Sequence, residues 1–284
     1  MGGDSVNELE LFTKKQDFLV CVDSDGCAMD TMDCKHIHCF GPCAISEWEL
    51  QEQQKEILDY WNQVNLYTMT RGINRFLALE KVLEWVDATY MPIEGLSTFS
   101  AWVKGAKELS NAAVKAQYEK TGEPFFKKAL CWSQAVNKAI GELPEELKKP
   151  FEGVRQGLEA VHAQADVAIV SSANREAVLE EWERFALMDS VDICLTQSDG
   201  SKAHCIGEML KKGYAPEHVL MVGDAPGDQK AAEKNGVFYY PILVKRETES
   251  WENLVSEALP RFLAGSYGGA YQAQVIERFL KNLS

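Results

Sequence analysis

A short apolar segment near the start of the chain is separated from several similar segments by a long stretch of helical pattern. Residues 18–22 are apolar, and an acidic, glycine-containing turn follows them, which predicts a buried strand. Residues 44–162 then carry apolar side chains at three-to-four spacing with charged residues between them, which predicts helices. A chain with this pattern has one strand on one side of a helical region and the rest of its strands on the other.

After the helical region, short strands and helices alternate. The pattern predicts strands at 167–170, 191–195, 219–222 and 237–241, and helices at 174–185, 202–212 and 229–235. Two further helices are predicted between 248 and 283, separated by the glycine-rich residues 265–269. Alternation of this kind favours a parallel sheet with helices on both faces. We therefore expect an α/β fold with a Rossmann-like core formed by residues 1–31 and 160–284, and an all-helical insertion at 32–159.

The charge of the chain limits the classes of partner. The formal net charge is −14 and the sequence pI is about 4.9. No basic field is available to attract a phosphate backbone or an anionic bilayer, so we expect neither nucleic acid nor membrane as a partner. A small phosphorylated metabolite remains compatible with this charge if a metal ion supplies local positive charge.

The amino terminus and the cysteines favour a cytoplasmic protein. No apolar run approaches the roughly 20 residues that span a bilayer, and the first residues lack the apolar core of a signal peptide. Gly2 follows Met1, but Val6 stands where myristoylation needs Ser or Thr. Eight cysteines in a 284-residue chain without a secretory signal indicate reduced thiols.

Polar side chains follow the predicted strands, where the ligands of an open parallel sheet bind. The residues concerned are Asp23 and Asp25 after the first strand, Ser171, Ser172 and Asn174 after the second, Lys202 beyond the third, and Asp224 and Asp228 after the fourth. Carboxylates that converge on one edge repel each other unless a cation lies among them. The pattern therefore indicates a metal-binding edge of the sheet.

This ordered set resembles the haloacid dehalogenase superfamily of phosphotransferases. The family pattern is a strand ending in Asp-x-Asp-Gly, a strand ending in Ser or Thr, a Lys, and a strand ending in Gly-Asp with another Asp four residues later. The matching residues here are Asp23 with Asp25, Ser171, Lys202, and Asp224 with Asp228. Each motif is short and common, so the specificity of the resemblance lies in their order. It covers the core segments and is weaker across the insertion, which resembles the family's mobile cap.

The resemblance implies a phosphatase that forms an aspartyl phosphate on Asp23. Asp25 would then be the general acid and base. The implied cofactor is Mg²⁺, bound by Asp23, the backbone carbonyl of Asp25, and Asp224, with Asp228 nearby or bonding through water.

The resemblance also implies a set of phosphate ligands. Ser171 and Lys202 would bind the phosphoryl oxygens, and Lys202 would also offset the charge of Asp23. Backbone N–H groups at the start of the following helix, around Ser172 and Asn174, would add an anion site.

Two groups of residues in the insertion are candidates for substrate contact. They are Lys35 and His36 just beyond the catalytic loop, and Arg71, Asn74 and Arg75 at the start of a predicted helix. Solvated helix faces explain these residues equally well. The cysteines and histidines between 34 and 43 also allow zinc as an alternative, although the paired Cys-x-x-Cys spacing is missing.

We expect Mg²⁺-dependent hydrolysis of a small phosphomonoester. The resemblance leaves open a phosphomutase acting on a sugar phosphate, which uses the same core. A non-catalytic phosphoester-binding protein is the third alternative, and the intact acidic set argues against it.

Overall fold

A computed structural model describes residues 8–284 of the chain. Residues 1–7, which include the Gly2 and Val6 of the myristoylation argument, lie outside that part. No helix within residues 8–284 is both long enough and apolar enough to cross a bilayer.

Five strands form a parallel sheet in the order β3-β2-β1-β4-β5. The strands are β1 (Leu19–Val22), β2 (Asp166–Val170), β3 (Ile193–Leu195), β4 (Val219–Gly223) and β5 (Phe238–Pro241). The first strand in the chain is therefore the middle strand of the sheet. The predicted α/β fold class is confirmed.

Most helices of the described residues lie where the periodicity of the sequence predicts helix, and the predicted helices after residue 170 begin and end within a few residues of the observed ones. In chain order they are α1 (Glu8–Leu11), α2 (Met32–Lys35), α3 (Gly41–Glu47), α4 (Gln54–Leu66), α5 (Arg75–Thr89), α6 (Leu96–Gly105), α7 (Asn111–Thr121), α8 (Pro124–Gly141), α9 (Val154–His162), α10 (Arg175–Arg184), α11 (Lys202–Leu210), α12 (Pro226–Asn235), α13 (Glu247–Asn253), α14 (Leu259–Leu263) and α15 (Ala270–Asn282). Two π-helical turns are His36–Phe40 and Leu254–Ala258, and 3-10 turns are Gln51–Gln53, Glu145–Leu147, Met188–Ser190, Gln197–Asp199 and Pro216–His218.

The chain divides into two compact units. The first contains the described residues up to Thr31 together with Glu145–Ser284, and the second is Met32–Pro144. The sequence pattern placed the second boundary at 160, later than the structure does. Residues 145–159 belong to the first unit because Val154 and Leu158 of α9 are buried in the same apolar cluster as the sheet. Helical periodicity alone does not show which core a helix packs against.

Alternate residues of the strands face opposite sides of the sheet, and helices cover both sides. Val20 and Val22 of β1 belong to an apolar cluster that also contains Trp182 of α10 and Trp251 of α13. Leu19 and Cys21 belong to another, which includes residues of α11, α12 and α15. All four residues of β1 have no exposed surface, as expected for a central strand of a parallel sheet.

The second unit is helical and has its own aromatic core. Trp61 of α4 and Trp132 of α8 are fully buried and lie with their ring centroids 5.9 Å apart. The indole N–H of Trp132 donates to the backbone carbonyl of Phe40 at 3.2 Å. A buried indole with a hydrogen-bond partner contributes apolar area without leaving a polar group unsatisfied.

Candidate active site

Three aspartates converge at the carboxyl-terminal edge of the sheet. Asp23 directly follows β1, Asp224 directly follows β4, and Asp228 lies in the first turn of α12. The register pairs Val22 with Val222, so Asp23 and Asp224 leave neighbouring strands almost side by side. Each aspartate offers a carboxylate oxygen within 4.8 Å of the others, and all three side chains are buried.

Lys202, the first residue of α11, bridges two of these carboxylates. Its Nζ lies 2.5 Å from Oδ2 of Asp23 and 2.6 Å from Oδ1 of Asp228. Burial by itself lowers the pKa of Lys202, but the carboxylates of Asp228 and Asp23 outweigh it and the pKa is raised overall. The lysine is therefore a stable cation at this edge.

The chain's own groups do not fully stabilise the charge of Asp23. Burial raises the pKa of Asp23, Lys202 lowers it, and Asp228 and Asp224 raise it further, so that the pKa lies well above its ordinary range. The attraction of Lys202 does not outweigh burial and the two neighbouring carboxylates at Asp23. A further cation in this group would favour the ionised form of Asp23.

The glycine of the Gly-Asp pair at the end of β4 is required for a steric reason. Oδ2 of Asp228 accepts a hydrogen bond from the backbone N–H of Ala225 at 3.0 Å, which folds the carboxylate back over Gly223. A Cβ on Gly223 would lie only 2.4 Å from Oδ2 of Asp228. Glycine is needed at the strand end because the carboxylate occupies the space of a side chain.

The loop after β1 turns back on itself and positions Asp25. Gly26 has a φ of 81°, a conformation that glycine adopts without strain, and its N–H donates to the carbonyl of Met29 at 2.8 Å. The Oγ1 of Thr31 donates to Oδ1 of Asp25, which is half-buried. Thr31 could not be predicted from the motifs, because no local pattern relates a threonine to an aspartate six residues earlier.

The end of β2 contributes Ser171 to the edge next to Asp23. Ser171 is buried, and its Oγ accepts from the N–H of Ala173 at 3.1 Å. Ser172 and Asn174 are exposed, and Oδ1 of Asn174 caps α10 by accepting from the N–H groups of Glu176 and Ala177. The side chain of Asn174 thus satisfies part of the helix start that the sequence suggested as an anion site.

The donor set at this edge suits a hard divalent cation. Asp23, Asp224 and Asp228 offer only carboxylate oxygens, which are the ligands that Mg²⁺ prefers in proteins. Asp228 lies in this group, close to Asp23 and Asp224; whether it would bind a metal directly or through water stays a prediction. Asp25 lies outside the group, and the role proposed for it involved its backbone carbonyl.

Lys35 and His36, two of the candidate substrate contacts in the second unit, lie at the end of α2 and the start of the first π-helical turn. Lys35 is buried at the end of α2. Nδ1 of His36 accepts from the indole N–H of Trp61 at 3.2 Å, and the ring stacks on Phe40.

Arg71, Asn74 and Arg75 have internal roles in the second unit. Arg71 is buried and donates to the carbonyl of Leu66 at 2.8 Å. Asn74 caps α5 by accepting from the N–H of Phe76, and Arg75 donates to Oγ of Ser133 at 2.9 Å. Contact between these five residues of the second unit and a substrate stays a prediction.

A family model described as haloacid dehalogenase-like hydrolase matches residues 97–241, slightly more than half of the chain. The matched range contains Ser171, Lys202, Asp224 and Asp228 and does not reach back to Asp23. No curated protein sequence matches the chain.

Solved structures with a similar fold include a candidate phosphoglycolate phosphatase from Lactobacillus delbrueckii subsp. bulgaricus. It is 14% identical, with coverage of 79% of this chain and 85% of that chain and a TM-score of 0.51. A candidate haloacid dehalogenase-like hydrolase from Bacteroides fragilis is also 14% identical, with coverage of 82% and 92% and a TM-score of 0.50. Identities this low show that the fold is shared and nothing more. The shared fold and the match to the family model confirm the resemblance: the chain is an enzyme of the haloacid dehalogenase-like hydrolase family.

Proposed function

We propose that this enzyme hydrolyses a small phosphomonoester with Asp23 as the nucleophile. The observation that carries the proposal is the contact of Asp23 with Lys202 inside a group of three buried carboxylates. A carboxylate of this kind can attack phosphorus, and the lysine can bind the oxygens that acquire negative charge in the transition state.

The first half-reaction forms a bond between an Asp23 carboxylate oxygen and phosphorus and breaks the bond between phosphorus and the leaving oxygen. Asp25 gives its proton to the leaving oxygen, which departs as an alcohol. The hydrogen bond from Thr31 keeps the Asp25 side chain in one orientation for this transfer.

The second half-reaction breaks the aspartyl phosphate. Water attacks phosphorus, its proton passes to Asp25, and the bond between phosphorus and the Asp23 oxygen breaks to release inorganic phosphate. Asp23 and Asp25 then regain their starting protonation states, so the two half-reactions close a catalytic cycle.

A divalent cation fits the same edge. Asp23, Asp224 and Asp228 would hold it, and when bound it would supply positive charge to the phosphoryl oxygens. Lys202 remains the chain's own cation for these oxygens, and Ser171 can donate its hydroxyl hydrogen to one of them. Mg²⁺ is our choice because all three side-chain ligands are carboxylates.

A small phosphorylated metabolite in a reducing compartment such as the cytoplasm is the substrate that we propose. The net charge of −14 and the eight free cysteines support these two parts of the proposal. The family covers many substrates, so the substrate needs a direct screen.

A panel of phosphorylated metabolites, assayed for released phosphate with Mg²⁺ and with EDTA, tests the proposal. The panel should contain 2-phosphoglycolate, after the name of the Lactobacillus protein, and several sugar phosphates. We expect phosphate release from at least one compound with Mg²⁺ and little with EDTA. Isomerisation of a sugar phosphate without free phosphate would refute hydrolysis and support the mutase alternative.

A further inference from the structure

A buried serine lies between the two aspartates of the catalytic loop. Ser24 has no exposed surface, and its Oγ accepts a hydrogen bond from the indole N–H of Trp182 at 2.9 Å. Trp182 is also fully buried, near the end of α10. The two residues are 158 positions apart in the chain, so the contact exists only in the folded protein.

The backbone of Ser24 organises the catalytic loop. Its N–H donates to Oδ1 of Asp23 at 2.7 Å, which fixes the rotation of the carboxylate. Its carbonyl accepts from the N–H groups of Cys27, Ala28 and Met29 at 3.3, 3.0 and 2.8 Å. A shift of Ser24 would therefore move the Asp23 carboxylate and the turn that follows it.

We propose that Trp182 is a positioning residue for phosphoryl transfer, acting through its hydrogen bond to Ser24. This inference rests on the proposed role of Asp23 as the nucleophile. The indole is rigid and held by α10, whose first turn follows the Ser171 end of β2. The hydrogen bond thus connects the segment that begins beside Ser171 to the loop that carries Asp23.

A purely structural role is the competing explanation. A buried indole N–H needs an acceptor, and a buried hydroxyl needs a partner, whatever the enzyme does. The two explanations differ when both partners are removed. Stability should then partly recover because no polar group is left unsatisfied, whereas positioning should remain lost.

The experiment compares Ser24→Ala, Trp182→Phe and the double variant. For each single variant we expect kcat to fall about tenfold, because the Asp23 carboxylate loses its fixed orientation. KM should stay within about twofold, since neither residue is proposed to bind substrate. The kcat of the double variant should also fall about tenfold. Two independent effects would multiply and lower it roughly a hundredfold.

Thermal unfolding supplies the second readout. The melting temperature of each single variant should drop by about 2–6 °C, and the double variant should recover part of that loss. Trp132→Phe, which removes a buried indole N–H in the second unit, is the matched control and should lower the melting temperature with kcat within about twofold of the wild type. The proposal is refuted if the double variant recovers kcat together with stability, or if Ser24→Ala keeps wild-type kcat.

The indole N–H resonance of Trp182 separates the failure of this proposal from that of the proposed function. The signal is assigned by its loss in Trp182→Phe, and it should shift and exchange faster in Ser24→Ala. An unchanged signal would refute the hydrogen bond and with it the positioning role. If the signal shifts in Ser24→Ala but the wild-type enzyme releases no phosphate from any compound of the panel, the hydrogen bond stands and the phosphatase function on which the role depends is refuted instead.

Discussion

The two edges of the five-stranded sheet both bury aspartates, and their charges are stabilised in different ways. At the amino-terminal edge, Asp166 begins β2 and is almost fully buried. Its Oδ2 accepts from the backbone N–H groups of Lys15 and Gln16 at 2.9 and 3.0 Å and from the hydroxyl of Tyr214. One negative charge thus receives three hydrogen bonds from groups of the chain.

At the carboxyl-terminal edge, Lys202 contacts two carboxylates of a group of three. Asp23 and Asp228 both contact Lys202, and Asp224 lies within the same group. Hydrogen bonds within the chain complete the environment of Asp166, whereas at the carboxyl-terminal edge three buried carboxylates lie within 4.8 Å of one another and the pKa of Asp23 is raised by burial and by the other two. The comparison teaches that burial of an aspartate does not by itself mark a functional site; a buried cluster of like charges does.

Asp23→Asn should give the largest effect. We expect kcat for p-nitrophenyl phosphate with Mg²⁺ to fall by about 10⁴-fold or more, because a carboxamide cannot attack phosphorus. The melting temperature should not fall, since the substitution removes one of three crowded charges. Asp166→Asn is the matched control at the opposite edge, and it should keep its activity per folded molecule. Activity retained in Asp23→Asn would show that the nucleophile is another group.

Mg²⁺ should stabilise the wild-type enzyme through the carboxyl-terminal edge. At a free Mg²⁺ concentration of about 100 times the dissociation constant, the expected gain in the free energy of unfolding is about 2.7 kcal/mol. Thermal melts with Mg²⁺ and with EDTA measure it. The gain should shrink in Asp224→Asn and persist in Asp166→Asn. An equal gain in both variants would place the metal elsewhere.

Asp166→Ala should lower the free energy of unfolding by about 1–3 kcal/mol, because the buried hydroxyl of Tyr214 and the part-buried N–H groups of Lys15 and Gln16 lose their acceptor. Burial raises the pKa of Tyr214, and Asp166 raises it further, so the phenol remains a donor across the working range of pH. Tyr214→Phe removes one of the three hydrogen bonds and should cost about 1 kcal/mol. Urea denaturation measures both losses. A larger loss for Tyr214→Phe than for Asp166→Ala would contradict this explanation.

Asp192→Asn should give the smallest effect, visible mainly in the pH dependence. Burial raises the pKa of Asp192, but the hydrogen bonds from Lys15 and from the N–H of Val167 outweigh it, and the pKa lies below its ordinary value of 3.8. A carboxyl group whose pKa is lower in the folded state than in the unfolded state stabilises the fold at pH values above its unfolded-state pKa. This stabilisation is lost as the pH falls through the folded-state pKa.

The loss at pH 7 in Asp192→Asn should be below about 1 kcal/mol, because Lys15 is largely exposed. Below about pH 4 the variant should lose less stability on acidification than the wild type does. Urea denaturation at pH 7 and between pH 4 and 2 measures this difference. Parallel pH profiles for the two proteins would show that Asp192 does not contribute to acid sensitivity.

Much of the fold was predictable because apolar strands and amphipathic helices have local signatures. The end of β1 at Val22 and the start of α11 at Lys202 agree with the pattern. The boundary near 145 was not predictable, because α9 has the same periodicity as the helices of the second unit. Only the apolar partners of Val154 and Leu158 assign that helix to the first unit.

The candidate site was predictable where it depends on strand ends. Asp23, Ser171 and Asp224 follow parallel strands, and such strands bring their ends to one edge. Direct membership of Asp228 in the carboxylate group depends on its hydrogen bond to Ala225 and on its packing over Gly223. No spacing rule predicts that contact, although it explains why the residue before Asp224 is a glycine.

The sequence by itself determined the class of fold, the edge at which the polar residues gather and the types of residue that gather there. These follow from local hydrophobic patterns and from the geometry of parallel sheets. The tertiary structure decided which side chains touch: Lys202 between two carboxylates, Thr31 on Asp25, and Trp182 on Ser24. The contacts of Lys202 and Trp182 join segments far apart in the chain, and the contact of Thr31 depends on how the loop after β1 folds back on itself, so no local pattern specifies any of them.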